Sequence, residues 1–510
     1  MVLLCERPDL AESPISLTTR QLLSPSHEPC AKPQVLDYTF FNHSILLFKV
    51  LKHMSLRGSV RSLGYLLMLL SMTVTAEEAR HARYLEGPFA TGPDVTKACL
   101  ECHEDEARDF MQHEHWTWSV RQEVPGSKQK IELGKRNGIN NFCIAVPSNW
   151  PRCTSCHAGY GWRDASFDFS DPTNIDCLVC HDTTATYRKV PTGAGMPAKD
   201  VDLLKVAQHV GRTSRQTCGS CHFFGGGGDH VKHGDLDSSL IRPDRTYDVH
   251  MGVDGPDMAC QFCHQTINHQ IPGQAMSVSV GDGKRVECGG CHGERPHRKG
   301  ILNMHSATVA CQTCHIPTFA KDKPTKVWWD WSKAGEDREP GHDQYGMKTY
   351  VKNKGEFRWA KDMVPVYAWY NGSSSRYVLG DKFTPEGPLY LSKPLGSIHD
   401  ASARIYPFKL MGGRQPYDAV NNYLVVPKLF GGYWQHYDWN QAIIDGMAAT
   451  SLAYSGKFGF VETRMYWQIT HMVVPKEQAL GCDDCHGEKG RLDWSALGYE
   501  GDPQEIGGRK

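Results

Sequence analysis

The sequence lacks an excess of charge of either sign and has little long apolar sequence. Its 510 residues include 56 Lys and Arg against 57 Asp and Glu, a formal net charge of −1. Without a basic excess, nucleic acid is not an expected partner. Apart from one stretch near the N-terminus, no apolar run approaches the roughly 20 residues that span a membrane, so we expect no permanent anchor. Fixed-period repeats are also lacking, which argues against a solenoid.

The N-terminal region differs from the rest of the chain. From Met54 it has a short basic segment, an apolar stretch from Leu63 to Met72 and small residues up to Ala76. This pattern is typical of a secretory signal peptide. We predict a cleaved signal peptide at 54–76 and a non-native or disordered extension at 1–53. The alternative is an ordinary N-terminal extension ahead of an uncleaved helix.

Eight copies of Cys-x-x-Cys-His account for 16 of the 19 cysteines. Two thiols at this spacing add to the two vinyl groups of one haem, and the following imidazole reaches the iron from the same side. The sequence therefore predicts eight covalently bound haems c. The attachment cysteines are Cys99, Cys102, Cys153, Cys156, Cys177, Cys180, Cys218, Cys221, Cys260, Cys263, Cys288, Cys291, Cys311, Cys314, Cys482 and Cys485. The motif histidines are His103, His157, His181, His222, His264, His292, His315 and His486.

Zinc is the alternative occupant of these motifs. The motifs opening at Cys153 and Cys177 are separated by a spacing that suits paired Cys-x-x-Cys zinc sites, and so are those at Cys288 and Cys311. A tetrathiolate zinc site, however, does not use a histidine after the second cysteine. Because the histidine is present all eight times, haem is favoured over zinc or disulfides.

The motifs and the signal peptide support each other. Haem c is attached to reduced thiols outside the cytoplasm in Gram-negative bacteria, so the predicted location is the periplasm. Removal of residues 1–76 leaves 49 basic and 52 acidic residues. The haem propionates add further negative charge, so we expect an acidic holoprotein.

The spacing of the motifs indicates how the chain is organised. Between the first seven motifs the intervals are 18 to 49 residues, each enough for about one short helix and a turn. A chain spread this thinly cannot pack a conventional core, so haem rings must supply much of the buried apolar surface. We predict a mainly α fold with much irregular structure, organised around eight haems, with a seven-haem body at 77–315.

The interval before the last motif is different, because it spans 166 residues and holds eight of the thirteen tryptophans. Alternating aromatic and polar residues around a break at Asn371-Gly372 predict strands and a turn. We expect a small β-containing, aromatic-rich insertion at 316–460. Residues 461–510 are predicted to hold a helix at Glu462–Val474 and the eighth haem.

The second axial ligand of each iron decides its function. A bis-histidine haem transfers electrons, whereas an open coordination position can bind substrate. Fourteen histidines after Met54 lie outside the motifs, which exceeds the eight needed, so their number does not prove an open haem. Each could also be an ordinary surface or propionate-bonding residue. The distal candidates, chosen by position, are His113 or His115, His209, His233, His250, His269, His297, His305 and His471.

Three blocks resemble the octahaem tetrathionate reductase family: GKRNGINNFCIAVPSNWPRCTSCHAGYGW at Gly134–Trp162, HRKGILNMHSATVACQTCHIPTFAK at His297–Lys321, and THMVVPKEQALGCDDCHG at Thr470–Gly487. Motif number, motif order and the long gap before the eighth motif also fit. The resemblance implies a haem arrangement shared with hydroxylamine oxidoreductases and pentahaem nitrite reductases. It further implies that the second haem is catalytic, with a lysine outside the motif on its iron and substrate on the open side.

Carried over to this sequence, the catalytic haem is the one attached at Cys153 and Cys156. Lys135 lies eighteen residues upstream and is the candidate iron ligand, with Lys128 and Lys130 as alternatives. A solvated lysine is the ordinary interpretation of Lys135. Unlike the pentahaem nitrite reductases, this chain has no Cys-x-x-Cys-Lys, and nothing in it identifies the cross-linking tyrosine of hydroxylamine oxidoreductase.

Two further residue types bear on the chemistry of this haem. Cys143 is the one cysteine after Ala76 that lies outside the motifs, and it either is buried structurally or lines the pocket and exchanges with sulfur substrates. Arg136 or Arg152 would offset the charge of a dianion.

The resemblance implies a periplasmic reductase of small oxyanions. Tetrathionate is the leading substrate, with nitrite and hydroxylamine as further candidates. We expect a redox partner such as a membrane quinol dehydrogenase or a small cytochrome. The non-enzyme alternative is a purely electron-transferring cytochrome whose haems all have two histidine ligands. The sequence does not indicate the oligomeric state.

Overall fold

The structure is a computed structural model that describes residues 81–125, 130–277 and 285–509. The predicted signal peptide and extension, and the alternative ligand Lys128, lie outside these residues. Helix accounts for 24% and strand for 18%, so the expectation of a mainly α chain is corrected to a mixed fold with much irregular structure. None of the helices in these three segments is long and apolar enough to cross a membrane.

Short helices hold most of the motifs. Helix α1 begins with a capping box in which Thr91 accepts from the Asp94 backbone and the Asp94 carboxylate accepts from the Thr91 backbone. At most motifs a single helical turn presents the two thiols. The helices are α1 (Gly92–Leu100), α2 (Glu104–Phe110), α3 (Glu114–Thr117), α4 (Trp150–Cys153), α5 (Leu178–His181), α6 (Leu203–Gln208), α7 (Arg215–His222), α8 (Cys260–Cys263), α9 (Gly289–His292), α10 (Gly300–His305), α11 (Cys311–His315), α12 (Trp434–His436), α13 (Trp439–Met447) and α14 (Pro503–Ile506).

A hairpin and a nine-stranded sheet contain the strands. The sheet follows the order β4-β5-β3-β9-β11-β8-β7, and β6 and β10 also pair with β9. Strands β3 and β9, and β11 and β8, are parallel, whereas the other pairs are antiparallel. The strands are β1 (Val120–Glu123) and β2 (Lys130–Leu133) of the hairpin, and β3 (Thr325–Asp330), β4 (Tyr350–Val351), β5 (Gly355–Ala360), β6 (Val366–Tyr370), β7 (Ser374–Arg376), β8 (Leu389–Pro394), β9 (Arg404–Asp418), β10 (Tyr423–Leu424) and β11 (Phe458–Gln468).

The predicted helix at Glu462–Val474 is wrong. Residues 458–468 form β11, which pairs antiparallel with β9 along its whole length. Val461, Thr463, Met465 and Trp467 are buried and alternate with less buried residues, which is the two-residue period of a strand. The sheet therefore crosses the expected boundary at 460/461, and the expected small insertion is the largest β structure of the chain.

The strands predicted around Asn371-Gly372 are confirmed. Strand β6 ends at Tyr370, β7 begins at Ser374, and Gly372 between them has a φ of 97°, a left-handed conformation that favours glycine. The two strands do not pair with each other, because β6 pairs with β9 and β7 with β8.

The largest apolar core belongs to the sheet. Its buried members include Trp329, Trp331, Met411, Met465 and Trp467. The clusters around the first motifs are smaller, as in the set formed by α1, α5 and α6. Among the described residues, the sheet therefore contributes most of the buried apolar packing.

Candidate haem-binding and catalytic site

Six motif histidines each face one histidine from outside the motifs. The ring centroids are 5.8 to 6.3 Å apart. Two imidazoles that bind one metal through nitrogen at about 2.0 Å from opposite sides place their centroids roughly 6 Å apart, so these pairs fit a six-coordinate haem iron between them. The pairs are His103 with His81, His181 with His269, His222 with His115, His292 with His250, His315 with His297, and His486 with His305.

Hydrogen bonds fix the tautomer of two of these rings and of His264 in the fifth motif. Nδ1 of His181, His264 and His305 donates to the carbonyl oxygens of Gly211, Pro272 and Ile301 at 2.7 to 2.8 Å. A ring that donates through Nδ1 keeps the lone pair of Nε2 for a metal.

The same arrangement holds at His115. His113 donates through Nε2 to the Ile271 carbonyl at 3.1 Å and accepts at Nδ1 from the His115 backbone. Nδ1 of His115 lies 3.0 Å from the same nitrogen of His113, so His115 donates there and keeps Nε2 for a metal. Of the two alternatives, His115 therefore faces His222, and His113 supports it.

The fifth motif has a different neighbour. The charge of His471 acts on both His264 and Cys260. Nδ1 of His471 donates to the buried carboxylate of Asp235 at 3.3 Å. The charge of His471 also acts on His222, but His222 already faces His115, so His471 remains the candidate distal ligand of the fifth motif.

The sequence prediction missed His81, which precedes the first motif and stands opposite His103. His209 and His233, both predicted as distal ligands, stay predictions, because neither ring forms a pair of this kind with a motif histidine. His233 lies 5.4 Å from the Trp467 ring, and His209 donates through Nδ1 to the Lys205 carbonyl, which leaves its Nε2 for a metal.

His157 of the second motif is oriented differently. Its imidazole is buried, and Nε2 donates to the Trp116 carbonyl at 2.6 Å, while Nδ1 is buried without a hydrogen-bond partner. Trp118 and Trp162 pack against the ring with centroids at 5.4 and 4.8 Å. Burial lowers the pKa of His157 to about 3. The nitrogen that His181 and His264 keep for a metal is thus committed to the backbone here.

The backbone of the second motif is firmly held. Lys189 donates to the His157 carbonyl at 2.5 Å and forms a buried ion pair with Asp176 at 2.8 Å. Thr154 donates to the Trp162 carbonyl. The motif helix α4 is therefore fixed in position independently of the His157 ring.

Lys135 lies close to the second motif, as predicted. The hairpin β1–β2 leads into it, and a Cβ at the preceding Gly134 would lie only 2.3 Å from the Trp118 carbonyl oxygen, so glycine permits this approach. Lys135 Nζ lies 4.0 Å from the Trp118 ring centre. The positive charge of Lys135 is close enough to interact electrostatically with Cys153, Cys156 and His157. The alternative Lys130 is exposed at the start of β2.

A second lysine, Lys232, was not predicted. Protein atoms enclose its amine, and this burial, followed by the charge of Lys135, lowers its pKa to about 7. The Cys156 thiol has the opposite and smaller effect, because it raises the pKa of Lys232. Nζ lies 5.1 Å from the ring centre of Trp467 on β11. Lys232 thus offers an amine of lowered basicity between the sheet and the second motif.

Cys143 packs against the main apolar core and lies close to the segment that carries Lys232. Its Sγ is 3.6 Å from the Gly226 carbonyl oxygen, in the glycine-rich segment that leads to Lys232. Asn140 fixes its backbone by accepting from the Cys143 amide at 2.9 Å, and Asn141 donates to the Met411 carbonyl on β9. The sheet thereby positions Cys143.

The two candidate arginines are placed differently. Arg136 stacks on Phe169 at 4.6 Å and is exposed, and Arg152 donates to the Pro191 carbonyl at 3.0 Å. Arg136 thus contacts the aromatic cage around His157 from outside.

A solved structure decides the family. The crystal structure of an octahaem cytochrome c from Shewanella oneidensis is 53% identical, covers 84% of this chain and 99% of its own, and superposes with a TM-score of 0.81. The chain belongs to the octahaem tetrathionate reductase family. This family of c-type cytochromes carries covalent haem c, which the histidine pairs fit.

Two protein-family models each match a part of this chain. The model described as cytochrome c bacterial covers residues 326–489, and that described as cytochrome c554 and c-prime covers residues 98–182. An uncharacterized protein of Archaeoglobus fulgidus is 24% identical over 267 residues, which are 42% of this chain and 89% of that relative.

The attachment thiols of different motifs lie side by side. Hydrogen-bonding contacts join Cys99 to Cys177, Cys156 to Cys221, Cys218 to Cys260, and Cys288 to Cys311. Electrostatic interactions link three further pairs of thiols, namely Cys180 with Cys218, Cys263 with Cys291, and Cys314 with Cys485. These contacts connect the motifs in the order one, three, four, five, six, seven and eight, with the second motif beside the fourth.

Proposed function

We propose that this multihaem cytochrome is a reductase of small oxyanions that acts at its second motif, with tetrathionate as the leading substrate. Two electrons break the central S–S bond of tetrathionate and give two thiosulfates, with no net uptake of protons. Nitrite and hydroxylamine are the other candidate substrates.

One observation carries this proposal: His157 alone among the motif histidines donates through Nε2 to a backbone carbonyl. The amine of Lys232 supports an alternative axial ligand, because its lowered pKa of about 7 leaves a lone pair available near neutral pH. We favour Lys232 over Lys135 as this ligand, since Lys135 lies over the Trp118 ring, whereas burial lowers the pKa of Lys232.

The surroundings favour a bound anion. The charges of Lys135 and Arg376 both act on Lys232, and the buried Arg376 side chain donates to the carbonyls of Ile139 and Leu391. Positive groups fixed before the substrate arrives stabilise a dianion without reorganisation. Cys143 would present its thiol to the sulfur atoms of the substrate from the sheet side.

Electron supply is supported by the histidine pairs and by the thiol contacts between motifs. We propose seven bis-histidine haems and one haem with an open position, eight in all. Haem c, when bound, supplies the electrons and the open iron position. The thiol contacts indicate a route from the eighth motif through the fourth to the second.

The expected location and partners follow from this role. We propose export to the periplasm, where a membrane quinol dehydrogenase or a small cytochrome would reduce the protein. Cys482 of the eighth motif is exposed, as are Cys263, Cys288 and Cys291 of the fifth and sixth motifs, so these three haems are the candidate points of electron entry.

Turnover tests the proposal directly. Holoprotein with a chemically reduced dye as electron donor is expected to reduce tetrathionate, and Lys232→Ala is expected to lower kcat at least about 100-fold, as for loss of a group that acts at the reacting centre. Lys476→Ala, at an exposed lysine, is the matched control. Equal turnover by Lys232→Ala and Lys476→Ala would exclude Lys232 from the site. Absence of tetrathionate, nitrite and hydroxylamine reduction by holoprotein would favour the electron conduit.

A further inference from the structure

Four consecutive carbonyl groups around Lys232 converge on two side chains of the sheet. Lys409 Nζ donates to the carbonyls of Val231 at 3.1 Å and Lys232 at 3.0 Å. Thr325 Oγ1 lies 2.7 Å from the His230 carbonyl oxygen and 3.1 Å from that of His233. Lys409 also donates to Thr325 Oγ1 at 2.6 Å, which joins the two side chains into one platform.

The platform is part of the rigid sheet. Lys409 lies on β9 and is 1% exposed, and Thr325, at the start of β3, is fully buried. Lys409 pairs with Trp467 of β11, and on its other edge β9 pairs with β6 up to Phe408 and with β3 from Gly412. Packing restricts the side-chain rotamers of a buried lysine on a central strand. Its amine is therefore held in a more defined position than that of an exposed lysine.

The segment that carries Lys232 has little structure of its own. Described residues 223–237 contain no helix or strand, and the segment includes positive φ angles at Gly226, Gly227 and His230. Backbone hydrogen bonds of a regular element therefore do not fix the position of Lys232. The contacts with Lys409 and Thr325 supply that constraint, since the carbonyl of every residue from 230 to 233 takes part.

We propose that Lys409 is a positioning residue that sets the location of the Lys232 amine at the second motif. This inference rests on the proposed function, in which Lys232 is the axial ligand. Lys409 itself touches backbone carbonyls and Thr325, so it acts through the segment it holds. The ligand is thereby coupled to the sheet through its own backbone.

Electron paramagnetic resonance of oxidised holoprotein tests the proposal. The signal to be followed is the part of the high-spin signal that Lys232→Ala removes or alters. Lys409→Met keeps the length of the side chain but removes all three donated hydrogen bonds, and it is expected to broaden or diminish this same signal. The signals of the bis-histidine haems should be unchanged, which shows that the variant is folded. In turnover, Lys409→Met should lower kcat while KM changes less.

A milder variant and a matched control accompany this measurement. Thr325→Val removes only the hydroxyl and is expected to alter the same signal to a smaller degree. Lys321 is a second lysine that donates to two carbonyls, those of Tyr247 and Met472, rather than to the carbonyls of residues 230–233. Lys321→Met is expected to leave the Lys232-dependent signal unchanged.

The outcomes separate the two proposals. If Lys232→Ala alters the signal and both Lys409→Met and Thr325→Val leave it as in the unmodified protein, Lys409 is not a positioning residue, and the assignment of Lys232 stands. If Lys321→Met alters it as much as Lys409→Met, the effect is general and the inference is overturned. If Lys232→Ala leaves every signal unchanged, the ligand assignment fails and the inference fails with it.

Discussion

The carboxylate of Asp502 accepts a hydrogen bond from Nδ1 of His486 at 2.6 Å, which ties the C-terminal segment to the eighth motif. The same carboxylate accepts from the Gly487 backbone amide. A negative charge at Nδ1 strengthens electron donation by Nε2 and stabilises the oxidised iron. We therefore expect Asp502→Asn to raise the reduction potential of the eighth haem. A loss of about 1.4 kcal/mol shifts a one-electron potential by about 59 mV.

Spectroelectrochemical titration of holoprotein measures this shift. Asn retains an acceptor oxygen and a good helix N-cap, so the change isolates the charge. Asp493→Asn, at a turn residue of the same segment, is the control. An unchanged reduction potential in Asp502→Asn would show that the Asp502 carboxylate does not influence the eighth haem.

The pairing of His115 with His222 predicts a change of spin state. In His115→Ala the fourth haem should lose its distal ligand and convert from low-spin to high-spin ferric iron. Electron paramagnetic resonance measures the conversion. His399→Ala, at an exposed histidine of the sheet region, should leave the spectrum unchanged. An unchanged spectrum for His115→Ala would show that another residue binds this iron.

The location of Cys143 beside Gly226 predicts that modifying its thiol blocks the site. Alkylation with iodoacetamide should lower tetrathionate turnover at least about tenfold, because the added group occupies space next to the Lys232 segment. Cys143→Ala should resist this inhibition. Confirmation of the modified residue by mass spectrometry, combined with full retained turnover, would assign Cys143 a purely structural role.

The hydrogen bonds of Asp418 predict that the hairpin formed by the end of β9 and by β10 is sensitive to acid. Burial disfavours its charge, but hydrogen bonds from Asn421, Ser455 and Val420 outweigh this and lower its pKa from 3.8 to about 2. The folded state therefore gains at most about 2 kcal/mol above pH 4, and this stability is lost as the pH falls from about 4 towards 2.

Hydrogen exchange of β9 and β10 measures this loss of protection between pH 5 and pH 2. In Asp418→Asn, protection should already be low at pH 5 and change little with pH. If the unmodified protein shows the same flat profile, the carboxylate does not stabilise the hairpin.

Some features could be predicted because they are local in sequence. The attachment motifs require fixed spacing between two thiols and an imidazole, and the turn at Asn371-Gly372 requires a residue that tolerates positive φ. The strand at Phe458–Gln468 was predicted as a helix over part of its length, although Val461, Thr463, Met465 and Trp467 carry the two-residue period. Attention to that alternation could have identified it.

Other features depend on contacts between distant parts of the chain. Lys232 is far from Cys156 in sequence, yet the Cys156 thiol acts on it electrostatically, and Lys409 and Thr325 contact the segment that carries it. No spacing rule connects these residues. His81 was missed because positions between motifs were favoured, whereas it approaches the first motif from the N-terminal side. The orientation of His157 depends on the Trp116 carbonyl and has no sequence signature.

The central claim is that one haem, at the second motif, differs in ligation from the other seven. Quantitative electron paramagnetic resonance of fully oxidised holoprotein, with the haem content measured independently, tests it most directly. The account predicts one high-spin ferric haem for every seven low-spin haems, and loss or alteration of the high-spin signal in Lys232→Ala. Eight low-spin haems, each with two histidine ligands, would contradict it.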